Sequence, residues 1–238
     1  MAVGPVPRHK IQRIPEFREV VYDEGRWDLL ARLRSRATRI VEDLGSCGVS
    51  AAVHGSLARG DVTPTSDVDV VITYLTQPYR IVFCLERLNY IIHKQYIVKA
   101  TPASTPKAYI ELDPEGREVV SFPLKETNPT EWEFYKFGGL VTLEELRKNV
   151  RKPGVNKNLV LIIPTERGHL EAPVINYEGY VASVLGVSIN VVNERVRLLS
   201  RRDEVGRTGT YLKYVLKIGE SFEEALARLA KEGKLRLS

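Results

Sequence analysis

The sequence predicts an α+β protein of two parts, and three observations support this fold class. Apolar residues recur at helical spacing over residues 26–44, whereas residues 68–75 form a β-branched run typical of a strand. Proline, glycine and charged residues cluster at 151–158, and the chain beyond them is richer in helical patterns. We therefore expect domains at residues 1–150 and 159–238, joined by a linker at about 151–158.

Local signals support each element of the first part. The helix at 26–44 ends at Gly45, a residue type that often terminates helices. Thr142 is followed three residues later by Glu145, a capping box that predicts a short helix. The other elements expected here are strands at 48–54 and 68–75, a helix at about 78–94, and a hairpin of strands 107–112 and 117–124 around a turn at 113–116. The second part is expected to contain a strand at 159–164 and helices at 177–185, 189–199 and 222–233.

The composition excludes several classes of protein. Hydrophobic residues make up 43% of the chain and charged residues 27%, which argues against disorder, collagen-like repeats and coiled-coil rods. No stretch approaches the roughly 18 apolar residues that span a bilayer, and the first residues do not resemble a secretory signal. We therefore expect a cytoplasmic protein without a membrane partner.

Cysteine and histidine give no sign of a metal centre. Cys47 and Cys84 lack the paired spacing of a zinc site and are too few for a disulfide scaffold, so we interpret both as small buried hydrophobic residues. The four histidines show no ligand spacing either. His54 is predicted to pack as a strand residue rather than to act as a base.

Positive charge is concentrated in the second part of the chain. Residues 1–150 hold 20 Lys or Arg and 20 Asp or Glu, whereas residues 151–238 hold 15 and 10, which accounts for the whole net charge of +5. A basic segment after a neutral one favours nucleic acid as a partner of the second part.

Two carboxylates that follow a Gly-Ser turn form the segment with the clearest chemistry. Alternate side chains of a strand share one face, so Asp67 and Asp69 are expected to project together. Like charges this close repel, and a divalent cation is the simplest compensation. Gly55 and Ser56 lie at a predicted strand end, where backbone N–H groups and a hydroxyl can hold phosphate oxygens, and Arg59 follows one turn later.

The spacing of these residues resembles the signature of the polymerase-β-like nucleotidyltransferase superfamily. That signature is a hydrophobic residue, Gly, then Gly or Ser, a spacer, and Asp, hydrophobic, Asp or Glu, hydrophobic. Here the ten residues from Leu57 to Ser66 separate Ser56 from the run Asp67-Val68-Asp69-Val70. The forms GSLARGD and SDVDV are most similar to the small prokaryotic and archaeal members.

This resemblance implies a fold, an activity and a role for each motif residue. The fold would be a small mixed β-sheet flanked by helices. Gly55 and Ser56 would hold the triphosphate of a nucleoside triphosphate (NTP) with help from Arg59, and Asp67 and Asp69 would bind two Mg²⁺ ions. Such an arrangement transfers a nucleoside monophosphate (NMP) to a hydroxyl and releases pyrophosphate.

The sequence departs from the superfamily pattern at the third carboxylate, which active members carry on a later strand. The run Val119-Val-Ser-Phe-Pro123 contains no acid where relatives that add nucleotides to tRNA carry one. Glu111 is our preferred candidate for a third catalytic carboxylate, and Glu118 on the next strand is the other.

A second motif lies in the basic part of the chain. Residues 180–199 resemble a helix-turn-helix with Gly186 in the turn, and residues 201–211 resemble the wing of a winged-helix domain. By this resemblance the domain would bind nucleic acid, with contacts from Ser188, Asn190, Asn193, Arg197, Arg201, Arg202 and Arg207. Winged helices also mediate dimerisation, so a homodimer remains an open alternative.

The sequence therefore predicts a Mg²⁺-dependent nucleotidyltransferase whose acceptor is unknown, with a C-terminal winged helix that binds nucleic acid. The alternative is a catalytically inactive protein that senses nucleotides, or a dimeric DNA-binding transcriptional regulator. The missing third acid favours the alternative, whereas the intact Gly-Ser turn and aspartate pair favour the enzyme.

Overall fold

The computed structural model describes residues 14–206 and 209–235. In chain order its elements are β1 (Arg18–Val21), α1 (Glu24–Ser46), β2 (Ala52–His54), α2 (Ser56–Arg59), β3 (Val68–Val71), α3 (Pro78–Arg87), β4 (Lys94–Lys99), β5 (Lys107–Glu111), β6 (Glu118–Pro123), α4 (Pro129–Gly138), β7 (Leu140–Thr142), α5 (Leu143–Arg147), β8 (Gly154–Val155), β9 (Val160–Thr165), β10 (Gly168–Pro173), α6 (Glu178–Leu185), α7 (Ile189–Val205), β11 (Leu212–Val215) and α8 (Phe222–Lys231). None of the helices in this described part is both long enough and apolar enough to cross a lipid bilayer.

A seven-stranded mixed sheet forms the larger layer, with strand order β11-β4-β5-β6-β3-β2-β7. The pair β3–β6 is parallel, whereas the other neighbouring pairs are antiparallel. The predicted α+β class with a mixed sheet and flanking helices is thus confirmed. The predicted hairpin also forms, as β5 and β6.

One face of this sheet, here called the back face, packs against helices α1, α3 and α8. Alternate strand residues such as Val70, Val120 and Ile110 are fully buried there, together with Ile40 and Leu44 of α1. Because side chains alternate along a strand, the neighbours of these residues point to the opposite, front face. The front face carries the predicted catalytic residues.

A second layer contains the sheet β1-β10-β9-β8 and the helix pair α6 and α7. Its core is built from Leu161 and Val174 with Val181 and Val192 of the two helices, and Phe137 of α4 joins it. Helix α6 ends at Gly186, whose φ of 60° is the left-handed conformation that favours glycine. The two helices therefore meet as the sequence predicted.

Several contacts cross the predicted boundary between residues 1–150 and 159–238. Strand β1 pairs with β10 of the second layer, whereas β11 pairs with β4 and α8 packs on the first sheet. The physical reason is apolar patterning, because Phe222, Ala225 and Leu229 of α8 bury an apolar face beside Phe122. The expected linker at 151–158 is also ordered, since it contains β8.

Two further elements differ from expectation. The helix expected at 78–94 ends at Arg87, because Asn89 adopts a left-handed φ of 60° and residues 94–99 form a strand instead. Helix α7 extends to Val205, so Arg201 and Arg202 lie in its last turns and not in a wing. The described residues therefore contain the predicted helix pair. They do not show a wing in the predicted range 201–211, of which residues 201–206 and 209–211 are described.

The interpretation of Cys47 and Cys84 as small buried hydrophobic residues misses their bond, because the two cysteines form a disulfide. Cys47 caps the C-terminus of α1 and Cys84 lies in α3, and packing of these helices brings their Cα atoms to 6.0 Å. This distance is within the range that a disulfide requires. The bond thus joins two helices of the back face.

Reduction of this disulfide is expected to lower the free energy of unfolding by about 2–4 kcal/mol, because the cross-link removes loop-closure entropy from the unfolded chain. Urea unfolding with and without a reductant measures the difference. A double variant, Cys47→Ser with Cys84→Ser, serves as the control and should be insensitive to reductant. Equal stability of the oxidised and reduced wild-type protein would contradict the expectation.

Candidate active site

A tight turn connects β2 to α2 at the front face. Gly55 has φ 79° and ψ −139°, a conformation that residues with a Cβ atom rarely adopt. Its backbone N–H donates to the carbonyl oxygen of Gly139, which holds the turn beside β7. Ser56 then begins the single-turn helix α2, so the first N–H groups of that helix and the Ser56 hydroxyl lie at the strand end.

The aspartate pair lies next to this turn. In the ladder of β2 and β3, His54 is opposite Asp69, and Asp67 immediately precedes β3. A Cβ atom built on Gly55 would lie 3.6 Å from Asp69 Oδ2. The structure therefore brings Gly55 and Asp69 into direct proximity, with exposed Asp67 one position before the strand.

The environment of Asp69 raises the pKa of its carboxyl from 3.8 to about 6. Burial is the main cause, and the negative charge of Asp67 adds to it. Arg59 and Lys157 oppose this effect through their positive charges. Without a bound cation, ionisation of Asp69 beside Asp67 is therefore less favourable than ionisation of an aspartate in water.

The side chain of Arg59, which was predicted to help hold the triphosphate, is engaged by other groups of the protein. Its Nε and Nη2 atoms donate to the two oxygens of Asp61, and Nη1 donates to the carbonyl oxygens of Gly138 and Val155. The Arg59 and Asp61 side chains are only 7% and 9% exposed. Four of the five N–H donors of a guanidinium are therefore used inside the protein. Arg59 joins α2 to the backbone of α4 and β8.

The candidates for a third carboxylate lie away from the aspartate pair. Glu118 faces the back of the sheet, where Arg36 of α1 donates three hydrogen bonds to it. Val119 lies beside Asp69 in the parallel pair β3–β6, so a valine stands at the position nearest to the pair.

Glu111 lies on the front face but one strand farther away. It is opposite Val119, so its backbone is two strand spacings, about 10 Å, from that of Asp69. Its carboxyl group lies 3.1 Å from where a Gly116 Cβ atom would be, which places it against the 113–116 turn. In the part of the chain that the structure describes, no three His, Cys, Asp or Glu side chains are grouped to hold a metal ion.

Lys157 lies near the aspartate pair in the structure, although no sequence pattern indicated it. It lies in the turn between β8 and β9, in the segment that was expected to be a linker. It is exposed, and it is near enough to Asp69 to lower the pKa of that carboxyl. Because the contact depends on how the second layer packs, no local pattern could have predicted it.

His54 is enclosed by rings and cations on the front face, as expected for a packed strand residue. Its ring lies 5.6 Å from Phe134 and 5.5 Å from Tyr135 of α4. Burial, helped by the positive charges of Arg59, Lys107 and Arg195, lowers the pKa of His54 to about 3. The ring is therefore neutral at physiological pH.

The described residues that were predicted to contact nucleic acid differ in their exposure. Most of them lie on α7 and are exposed, whereas Ser188, at the N-terminal cap of α7, is bound to another helix. Asn190, Asn193, Arg197 and Arg201 are exposed and share one helix face, and Arg202 is exposed beside them. Ser188 is engaged instead, because its backbone N–H and its hydroxyl both donate to Glu133 of α4. Arg207 lies outside the described residues.

Comparison with known proteins supports the interpretation of the first part. Residues 34–127 match a family model described as a nucleotidyltransferase domain. The matched range contains Gly55, Ser56, Asp67, Asp69 and Glu111, and it supports the resemblance to the polymerase-β-like superfamily. A search of curated proteins found no match to this chain.

Proposed function

We propose that this protein is a nucleotidyltransferase that moves an NMP from an NTP to a hydroxyl group and releases pyrophosphate. The observation that carries the proposal is the proximity of the Gly55 turn to Asp69, at 3.6 Å from a Gly55 Cβ position. The match of residues 34–127 to a nucleotidyltransferase domain supports it independently. Groups that could bind phosphate and a carboxylate that could bind a cation would thus act together at one strand end.

The turn supplies the groups that would bind the triphosphate. The first N–H groups of α2 and the Ser56 hydroxyl can donate hydrogen bonds to phosphate oxygens. Lys157 adds a positive charge from the opposite layer, in the role that the sequence assigned to Arg59. Since residues 1–150 carry no net charge, these local groups would provide most of the attraction for the triphosphate.

Asp67 and Asp69 would hold the divalent cation. Mg²⁺ is commonly bound by one or two carboxylates together with substrate phosphates and water, so a pair of aspartates is a sufficient protein contribution. The raised pKa of Asp69 fits this role, because burial and the negative charge of Asp67 outweigh the positive charges of Arg59 and Lys157. Two Mg²⁺ ions, when bound, would neutralise charge on the reacting phosphates and activate the attacking hydroxyl.

The proposed reaction is an in-line displacement at the α-phosphorus of the NTP. The acceptor oxygen forms a bond to this phosphorus while the bond from phosphorus to the α–β bridging oxygen breaks. Pyrophosphate leaves with the electron pair, and the hydroxyl proton passes through a basic oxygen of the site to solvent. The protein contributes mainly positioning and charge stabilisation, as in other phosphoryl-transfer sites.

Incubation with Mg²⁺ and each α-labelled NTP in turn, with RNA, protein or small-molecule acceptors, tests the proposal. We expect label to enter one acceptor class, and the double variant Asp67→Ala with Asp69→Ala to lose at least about a thousandfold in rate. Glu111→Gln is the matched control, since it removes a carboxylate that lies away from the pair. Transfer that survives in the double variant would overturn the proposal.

The second candidate is a catalytically inactive, nucleotide-sensing regulator that binds DNA as a dimer. Val119 beside Asp69 favours it, because active relatives carry a third acid on a later strand. The exposed face of α7, with its two asparagines and two arginines, would then contact the major groove. Nucleotide binding without label transfer, together with salt-dependent binding to duplex DNA, would select this candidate over the enzyme.

A further inference from the structure

Five residues of β4, β5 and β11 form a cationic and aromatic surface on the front face. They are Lys94, Tyr96, Lys107, Tyr109 and Lys213, here called the tyrosine–lysine strip. The ladders place Tyr96 opposite Tyr109, and Val98 opposite both Lys107 and Lys213. The strip therefore occupies the side of the sheet that carries Asp69, and at its end nearest to α4 the ammonium group of Lys107 donates a hydrogen bond to the Tyr135 hydroxyl.

The two rings of the strip are stacked and flanked by lysines. Their centroids lie 5.1 Å apart with an interplanar angle of 3°. Lys213 Nζ lies 4.8 Å and Lys94 Nζ 5.8 Å from the Tyr96 ring centroid. Both tyrosines are partly exposed, while Lys94 and Lys213 are exposed. The aromatic rings of the tyrosines and the ammonium groups of the lysines thus lie side by side over the adjacent strands β11, β4 and β5.

The strip is continuous with the aspartate pair. Between them on β6 lie Val119, which is partly exposed beside Asp69, and Ser121, which is buried beside Tyr109. Asp69 is close enough to Tyr109 and Tyr96 to contribute to the raised pKa of both phenols. Glu111 lies beside the strip, opposite Lys94 in the ladder of β4 and β5, and its negative charge contributes to the raised pKa of Tyr96.

We propose that the tyrosine–lysine strip binds the single-stranded end of a polynucleotide acceptor, whose terminal hydroxyl reaches the NTP at Asp67 and Asp69. This inference rests on the proposed function and names the acceptor class for it. Unpaired bases pack against partly exposed aromatic rings of a sheet face, and the neighbouring lysines attract the repeated phosphates. Bases within a duplex are stacked on one another and cannot make these contacts.

Fluorescence anisotropy without NTP or Mg²⁺ tests the strip separately from catalysis. The probes are end-labelled oligoadenylates of about 12 nucleotides, as RNA, as DNA and as the corresponding duplexes. We expect salt-dependent binding of the single strands, weakened on the order of tenfold by Tyr96→Ala and by Lys213→Glu. Tyr96→Phe keeps the ring and should bind normally. The RNA and DNA arms show which sugar the strip accepts.

Two control variants locate the binding surface. Lys231→Glu makes the same charge change on α8, at the back face, and should leave affinity unchanged. Arg197→Glu with Arg201→Glu tests the exposed face of α7. Binding that is lost only in this α7 variant, or that is insensitive to Tyr96→Ala and Lys213→Glu, would overturn the inference.

The transfer assay separates this inference from the proposed function. Label transfer to a protein or small molecule but not to the oligonucleotides would refute the polynucleotide acceptor while leaving the nucleotidyltransferase intact. Asp69→Asn should bind the oligonucleotides normally and fail in transfer. If the wild type transfers label to the oligonucleotides, and the variants of the strip lose transfer in proportion to their loss of affinity, both the proposed function and this inference are supported.

Discussion

Replacement of Arg59 by alanine is expected to lower the free energy of unfolding by about 3–5 kcal/mol. The variant leaves the Asp61 carboxylate buried without its partner and removes donors from two backbone carbonyls. The side chains of this ion pair are 7% and 9% exposed, so water cannot replace the lost contacts readily. Urea denaturation of the wild type and the variant measures the loss.

A double variant distinguishes this structural role from a phosphate contact. Arg59→Ala with Asp61→Ala removes both charges, so it should be more stable than the sum of the two single losses predicts. If Arg59 were instead a phosphate ligand, Arg59→Ala would keep its stability and would raise the KM for NTP. That second pattern would contradict the role that the hydrogen bonds of Arg59 indicate.

Replacement of Asp69 by asparagine is expected to have the opposite effect on stability at neutral pH. The pKa of Asp69 is about 6 in the folded protein against 3.8 for an unperturbed aspartate. Between these values the folded state holds a proton that the unfolded state has lost, so stability falls as pH rises from about 4 to 6. Asp69→Asn removes that loss, and we expect the variant to gain about 1–3 kcal/mol at pH values near 8.

Unfolding measured at several pH values between about 3 and 8 checks this prediction. The gain should be full well above pH 6, where Asp69 of the wild type is ionised in both states, and should vanish near about pH 3, where it is mostly protonated in both states. Asp67→Asn is the matched control and should gain less, because burial rather than Asp67 is the main cause of the raised pKa. A gain that is equal at all pH values would show that ionisation of Asp69 is not the cause.

The central part of the fold could be predicted because its signals are local. The Gly-Ser turn and the aspartate pair lie within one continuous segment, and the ladder of β2 and β3 brings them together as the spacing implied. Helices α1 and α8 also followed from apolar periodicity, with bounds within two residues of those expected.

The remaining features depend on contacts between distant residues. Nothing in residues 18–21 indicates pairing with β10, and nothing near Cys47 indicates that Cys84 lies at 6.0 Å. Lys157 and the partners of Arg59 likewise reach the site only because the second layer packs on the first. Sequence patterns report the buried face of an element, but they do not report which element covers it.

The assignment of the third carboxylate illustrates the same limit. Glu111 and Glu118 were both acceptable candidates from strand alternation alone. The structure shows that Glu118 faces Arg36 on the back of the sheet and that Glu111 lies two strands from Asp69. The site therefore presents two carboxylates, and the proposed activity would depend on that pair.

Transfer from differently labelled NTP to an acceptor tests the central claim most directly. With wild-type protein and Mg²⁺, label in the α-phosphate should enter the acceptor, whereas label in the γ-phosphate should appear in pyrophosphate. Asp69→Asn, which is expected to be folded and more stable, should lose this transfer by at least about a thousandfold. Undiminished transfer by Asp69→Asn, or transfer of the γ-label to the acceptor, would contradict a nucleotidyltransferase centred on Asp67 and Asp69.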